Sequence, residues 1–240
     1  MPQIHNVKFL DTQMGGCARQ EMNTFPRHRQ NTYIHIDAEL LVLDKPAGLL
    51  SVPGRGPDKA DCLAARVQAA YPDALIVHRL DMDTSGLIVL ARGAEVHRTL
   101  SRAFAARAVE KRYVALVAGR LAPPEAEWGT VDLPLICDWP NRPLQKVDFE
   151  VGKPSVTRWR VLGYDAAMDA TRVELVPVTG RSHQLRVHMR ALGHPMLGDP
   201  LYASDSVRAQ APRLLLHAAA LSIPHPLTGA ACRFESPPPF

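Results

Sequence analysis

Asp81 lies in the stretch Val77-His78-Arg79-Leu80-Asp81-Met82-Asp83-Thr84-Ser85-Gly86, a polar knot directly ahead of the apolar run at residues 87–91. That run has the length and flanks of a buried strand, so the knot reads as a loop held against the core and an acid in it has a fixed position. Such an acid can pair with Arg79 or cap a turn with Thr84 and Ser85. It can also do chemistry: a nearby cation keeps a carboxylate ionised at neutral pH, and the ionised form acts as nucleophile or base. Tyr113 stands in the alternating stretch at 111–118, where it shares one strand face with Ala115 and Val117. Arg181 opens a helix predicted over residues 181–193, with Leu185, Met189 and Leu192 as its buried stripe and Gly193 as its stop. A cation gains nothing from the dipole at that end, so a partner acid is the reason for an arginine there. One placed acid, one strand tyrosine and one arginine, without a cofactor, suit chemistry at a sugar carbon.

Other chemistries lack their motifs. Gly152-Lys153-Pro154-Ser155 has no glycine five positions earlier and carries a proline where a phosphate loop turns into its helix. Neither a GxGxxG after a strand nor a GxSxG elbow occurs, which removes the sequence support for dinucleotide redox and α/β-hydrolase chemistry. His183 and His188 are five apart, roughly 140° around a helix of 3.6 residues per turn, so they do not share an ion, and no metal is expected. The four cysteines, at 17, 62, 137 and 232, form no CxxC pair and read as free thiols.

The elements that must position these residues follow from pattern. Strands are expected at 33–36, 40–43, 111–118, 157–164, 172–178 and 214–223, with short helices at 61–70 and 94–108. In the second helix Val96, Leu100 and Phe104 make one apolar face, while Arg98, Arg102 and Arg107 lie elsewhere on it. Residues 133–143 are punctuated by proline and read as irregular. Lys45-Pro46-Ala47-Gly48 stops a strand and starts a loop that continues through Ser51-Val52-Pro53-Gly54-Arg55-Gly56, where glycine permits close approach to a ligand and Arg55 adds charge. Residues 1–32 show no sustained periodicity and read as a flexible extension ahead of one domain at 33–240. At 240 residues, 46% of them hydrophobic, the chain can bury a sizeable core. The net charge of +4, carried mostly by arginine, modestly favours a polyanionic partner. No apolar run reaches the ~18 residues of a membrane span, and the start lacks a secretion signal, which points to the cytoplasm.

The isolated residues fall in blocks that resemble the RluA family of pseudouridine synthases. His78-Arg79-Leu80-Asp81 with Thr84-Ser85-Gly86-Leu87 is similar to its catalytic motif, Lys111-x-Tyr113-x-Ala115-x-Val117 to its tyrosine motif, and Arg181-x-His183-Gln184-x-Arg186-x-His188 to its arginine motif. Lys45-Pro46-Ala47-Gly48-Leu49 matches the family's opening and Gly193-His194-Pro195-Met196-Leu197-Gly198-Asp199 its closing block. The resemblance runs from about residue 36 to the C-terminus. It departs at Ala203, where many relatives have glycine, and in residues 1–32, which do not resemble the S4-type RNA-binding domain that some relatives carry.

The resemblance implies an α+β fold, with a mixed, largely antiparallel central sheet flanked by helices and loops and a catalytic cleft across it. The implied activity is that of an isomerase, an intramolecular transferase converting uridine to pseudouridine without cofactor or metal. Asp81 would attack the anomeric carbon or remove a neighbouring sugar proton. Tyr113 would pack on the uracil or take its released ring proton, and Arg181 would hold Asp81 ionised. Arg79 is the implied filler of the space left by a flipped base, and His78, Lys45, Arg55, Arg186 and Arg190 are the implied RNA contacts. The implied partners are transfer RNA, at its anticodon stem-loop, and 23S ribosomal RNA, bound by a monomer. Two other readings stand beside this one. The first is an RNA-binding or RNA-folding module without catalysis; the second is a nucleoside or glycoside hydrolase, which needs a second carboxylate such as Asp83, Asp44 or Glu110.

Overall fold

The computed structural model describes residues 32–56 and 59–240; the predicted extension lies outside them except for Thr32. β1 (Thr32–Ile36) and β2 (Leu40–Lys45) form a hairpin, whose turn is closed by Asp37 Oδ1 accepting the N–H groups of Glu39 and Leu40. After α1 (Leu63–Gln68) and β3 (Ala74–Ile76) comes the Asp81 loop, then β4 (Ser85–Arg92), α2 (Ala94–Ala105) and β5 (Glu110–Ala118). β6 (Gly129–Asp132), the small hairpin β7 (Leu135–Cys137) and β8 (Gln145–Val147), and the long hairpin β9 (Val156–Asp165) and β10 (Ala170–Pro177) follow. The chain ends with α3 (Gln184–Ala191), α4 (Asp205–Arg208), β11 (Leu216–Pro224) and β12 (Ala231–Glu235).

The main sheet of the described residues runs β1-β2-β4-β11-β5-β10-β9-β6, with β3 also on β4 and β12 on β11. All pairings are antiparallel except β4 with β11. This is the expected α+β fold with a mixed, largely antiparallel sheet. Leu40 to Leu43 are all fully buried because apolar clusters cover both faces of β2 and β4. One cluster joins Leu41, Leu43, Ile88, Leu90, Tyr113 and Leu175 to Leu185 and Met189 of α3. The other joins Leu40, Val42, Leu87 and Val89 to Leu100 of α2.

The short parallel contact decides where the site forms. Ala218 of β11 pairs with Gly86 on one side and Tyr113 on the other, so the start of β4 and the tyrosine lie at one level of the sheet. A Cβ on Gly86 would stand 2.4 Å from the Ala218 carbonyl oxygen, and its φ is +109°, so only glycine allows that pairing.

Three expectations are corrected. The late helix begins at Gln184 rather than Arg181, because His183 takes a left-handed conformation (φ +54°) ahead of it. Leu192 is 36% exposed instead of joining the buried stripe; Gly193, at φ +86°, does end the helix. Residues 133–143 are not wholly irregular, since 135–137 pair with 145–147.

Candidate active site

The Asp81 loop is fastened on both sides of the acid. Ser51 Oγ donates to the Leu80 carbonyl (2.7 Å) and accepts the Leu80 N–H (3.1 Å). The Met82 carbonyl accepts from Lys45 Nζ and from the Gly48 N–H, both at 2.9 Å. The 45–51 loop is therefore a clamp on the backbone that carries Asp81. Lys45 also donates to the carbonyls of Pro46 and Leu49 and is fully buried, so the expectation that it contacts RNA is corrected. Burial lowers its ammonium to about 8, opposed by the charges of Asp83, Asp81 and Asp44.

Asp81 keeps a fifth of its side chain exposed, and the cation facing it is Arg186, with Nη1 3.7 Å from Oδ2. Arg186 is 1% exposed and bonded bidentately to the fully buried Asp199, Nε to Oδ2 at 2.8 Å and Nη2 to Oδ1 at 2.5 Å. Its guanidinium lies 5.0 Å from the Tyr202 ring centroid. Asp199 in turn accepts the N–H groups of Leu201 and Tyr202. Arg186 is thus buried rather than at the surface, and among the described residues it, not Arg181, makes the ion pair with Asp81, so the expected placements of both arginines are corrected. Arg181 is exposed on the cleft wall, where its Nε donates to the Pro154 carbonyl (3.3 Å). Starting the helix at Gln184 turns Arg186, not Arg181, toward the acid.

Tyr113 is 9% exposed and faces the same cleft, its hydroxyl raised above the ordinary phenol range by burial and then by the Asp81 charge. His78, expected at the RNA, stacks on Phe104 with ring centroids 4.7 Å apart, and its Nε2 accepts the Val89 N–H. Burial and the Lys111 cation push it down to about 3, so it is a neutral brace for the loop. Arg79 is exposed at the cleft and makes no hydrogen bond or ion pair among the described residues, so Asp81 is not its partner. Arg55 and Arg190 are exposed outside the cleft lining.

The cleft measures about 860 Å³. Among the described residues, Arg79, Arg107, Lys111, Arg112, Arg158, Arg181 and Arg186 line it against Asp81 and Glu110, which makes it electropositive. Sequence reasoning missed Asp199, Tyr202 and His183, whose Nδ1 is 2.6 Å from the Tyr202 hydroxyl. The Gly198-Asp199 pair of the closing block was the signal for the first of these. Of the carboxylates a hydrolase would need, Asp44 accepts from Ser236 and Asp83 lines a different cavity; Glu110 alone shares the cleft.

Among the described residues, donor atoms of Asp37, Glu39 and His225 lie within 4.8 Å of one another near the β1–β2 turn. His225 Nδ1 accepts the N–H groups of Leu227 and Thr228, which puts the proton of the neutral ring on Nε2, facing the carboxylates. A metal at Nε2 would need the proton on Nδ1 instead, so this tautomer does not suit a metal ligand.

The model of the RNA pseudouridylate synthase family matches residues 39–191. The chain is 55% identical over 207 residues to the dual-specificity RNA pseudouridine synthase RluA of Escherichia coli (strain K12), covering 86% of this chain and 93% of the relative. The protein of the same name from Yersinia pestis is 52% identical over 202 residues, covering 84% and 96%. Among solved structures, human RNA pseudouridylate synthase domain containing 1 superposes with a TM-score of 0.72 at 28% identity, covering 90% of this chain and 87% of that one. Domain containing 4 gives 0.66 at 26% identity, covering 87% and 88%. With its aspartate, tyrosine and buried arginine gathered at one basic cleft, the chain belongs to the RluA family and is an RNA pseudouridine synthase, an isomerase.

Proposed function

We propose that the chain converts uridine to pseudouridine in structured RNA loops, taking both transfer RNA, at the anticodon stem-loop, and 23S ribosomal RNA as substrates, and that it does so in the cytoplasm as a monomer without cofactor. The observation that carries this reading is the Asp81 carboxylate paired with buried Arg186 in an electropositive cleft. The dual-specificity name of the relatives supports more than one RNA target. No helix among the described residues is long and apolar enough to cross a membrane.

In the proposed reaction the target uridine leaves its stack, at a cost of a few kcal/mol that loop nucleotides largely escape, and Arg79 fills the vacated space. Asp81 attacks the anomeric carbon or removes a neighbouring sugar proton, which releases the ring nitrogen. The base turns and rejoins the anomeric carbon through a ring carbon, displacing the Asp81 carboxylate in the first route or with Asp81 returning the sugar proton in the second; the ring carbon loses its proton and the freed nitrogen gains one, so the formula is unchanged. Arg186 aims the carboxylate and balances its charge. Burial and the Asp81 charge keep Tyr113 a phenol, which favours packing against the uracil over service as a resting base. Arg181 acts at the cleft wall as an RNA contact.

The test is nucleotide-resolution mapping of unmodified transfer RNA and 23S ribosomal RNA after incubation with purified chain, without metal or nucleotide. Conversion of a uridine in each, abolished in Asp81→Asn with RNA affinity retained, is expected. Conversion in one RNA class alone would remove the dual target, and turnover by Asp81→Asn would move the chemistry elsewhere.

A further inference from the structure

The wall of the cleft carries an aromatic that none of the steps above uses. Gly129 of β6 pairs with Trp159 of β9, and Thr130 with Arg158, so Trp128 lies just ahead of the edge strand, near Arg160. The two tryptophans are divided by the alternation of β9. Trp159 points inward, is 8% exposed and closes over Gly129, where any Cβ would stand 2.5 Å from its ring. Arg158 and Arg160 point to the other face, and their guanidinium carbons lie 4.9 and 4.7 Å from the Trp128 ring centroid. With the core at this edge already filled by Trp159, packing alone does not account for a second indole among arginines.

The two arginines differ in commitment. Arg160 is held by the buried Glu174, at 2.6 Å, and by Glu127 at 3.1 Å. The Arg158 side chain makes no hydrogen bond or ion pair among the described residues, and both it and Trp128 line the cleft that holds Asp81. A planar indole beside an uncommitted guanidinium matches the two chemistries of a single-stranded nucleotide, a base that stacks and a phosphate that pairs with a cation.

We propose that Trp128 and Arg158 form a binding site for a nucleotide flanking the target uridine. The incoming base takes the place of the Arg158 guanidinium on the indole, and the guanidinium turns to that nucleotide's phosphate while Arg160 stays on Glu174. The site rests on the reading that this cleft takes RNA. It makes a splayed loop, rather than a continuous duplex, the form of RNA that enters.

The test is fluorescence anisotropy of a labelled, unmodified RNA hairpin carrying uridine in its loop, titrated with the full chain. Trp128→Ala is expected to weaken binding about tenfold or more, and Trp128→Phe to restore most of it, because any aromatic face stacks a base. Arg158→Ala is expected to weaken binding less and to lower the slope of log Kd against log salt by about one phosphate contact. Wild-type affinity in Trp128→Ala overturns the site. So does an equal loss in Trp128→Phe, which would mark the residue as packing alone. A wild-type chain that binds no RNA overturns instead the reading of the cleft on which the site rests, and the site with it.

Discussion

Arg186 and Arg181 sit five residues apart in one segment and line the same cleft, yet their surroundings are opposite. Arg186 is locked to Asp199 with almost no exposure and faces Asp81; Arg181 is exposed on the cleft wall. Lys45 and Arg79 repeat the contrast around the Asp81 loop. Lys45 is buried under three carbonyls, and Arg79 stands in the open. Burial therefore divides the cations of this site into a set bonded within the protein around the acid and a set open to solvent. The difference teaches that charge alone does not assign a role. A desolvated cation is kept only where protein acceptors replace its water, and those acceptors then fix its geometry.

The contrast breaks most visibly if Arg186 is removed. Arg186→Ala leaves Asp199 buried and unpaired, and we expect a loss of roughly 3–5 kcal/mol in denaturant unfolding together with loss of turnover; stability within about 0.5 kcal/mol of wild type would contradict the buried pair. Lys45→Met is expected next, at about 1–3 kcal/mol, since carbonyls at the loop lose their donor. It also carries a pH signature. The folded chain releases the Lys45 proton near pH 8, whereas the unfolded chain holds it to about 10.5, so the unfolded state binds more protons in that window. Lys45 thereby contributes a rise in stability between those pH values, and the rise should be smaller in Lys45→Met.

Arg79→Ala should leave stability within about 0.5 kcal/mol but slow conversion of loop uridines by roughly tenfold, because unstacking of the base goes uncompensated. Stopped-flow single turnovers would measure it, and an unchanged rate would leave the vacated space to another residue. The smallest effect is expected from Arg190→Ala, a drop of about one in the salt slope of RNA binding; a wild-type slope would remove Arg190 from the RNA contacts.

Much of this was legible from residue order. The run at 87–91 announced β4, the alternation at 111–118 placed Tyr113 on an inward strand face, and the polar knot marked Asp81. The identity of the partnering arginine was not legible. It depends on where α3 starts, and that is set by the left-handed His183 and by Asp199, thirteen residues after Arg186 across a loop. Lys45 was misread because its three acceptors are backbone carbonyls, which leave no trace in side-chain pattern. The small strands β3 and β6 went unseen because three or four residues carry too little periodicity, and the sheet around them supplies the pairing.

The most direct test of the division is the single-turnover rate of pseudouridine formation at saturating enzyme, measured side by side for Arg186→Lys and Arg181→Ala. Arg186→Lys, which keeps the charge but loses the two-pronged grip on Asp199, should lose most of the rate while still binding RNA. Arg181→Ala should bind RNA more weakly yet react at close to the wild-type rate once saturated. A collapse of the rate in Arg181→Ala with Arg186→Lys unaffected would contradict the account and return the acid's partner to position 181.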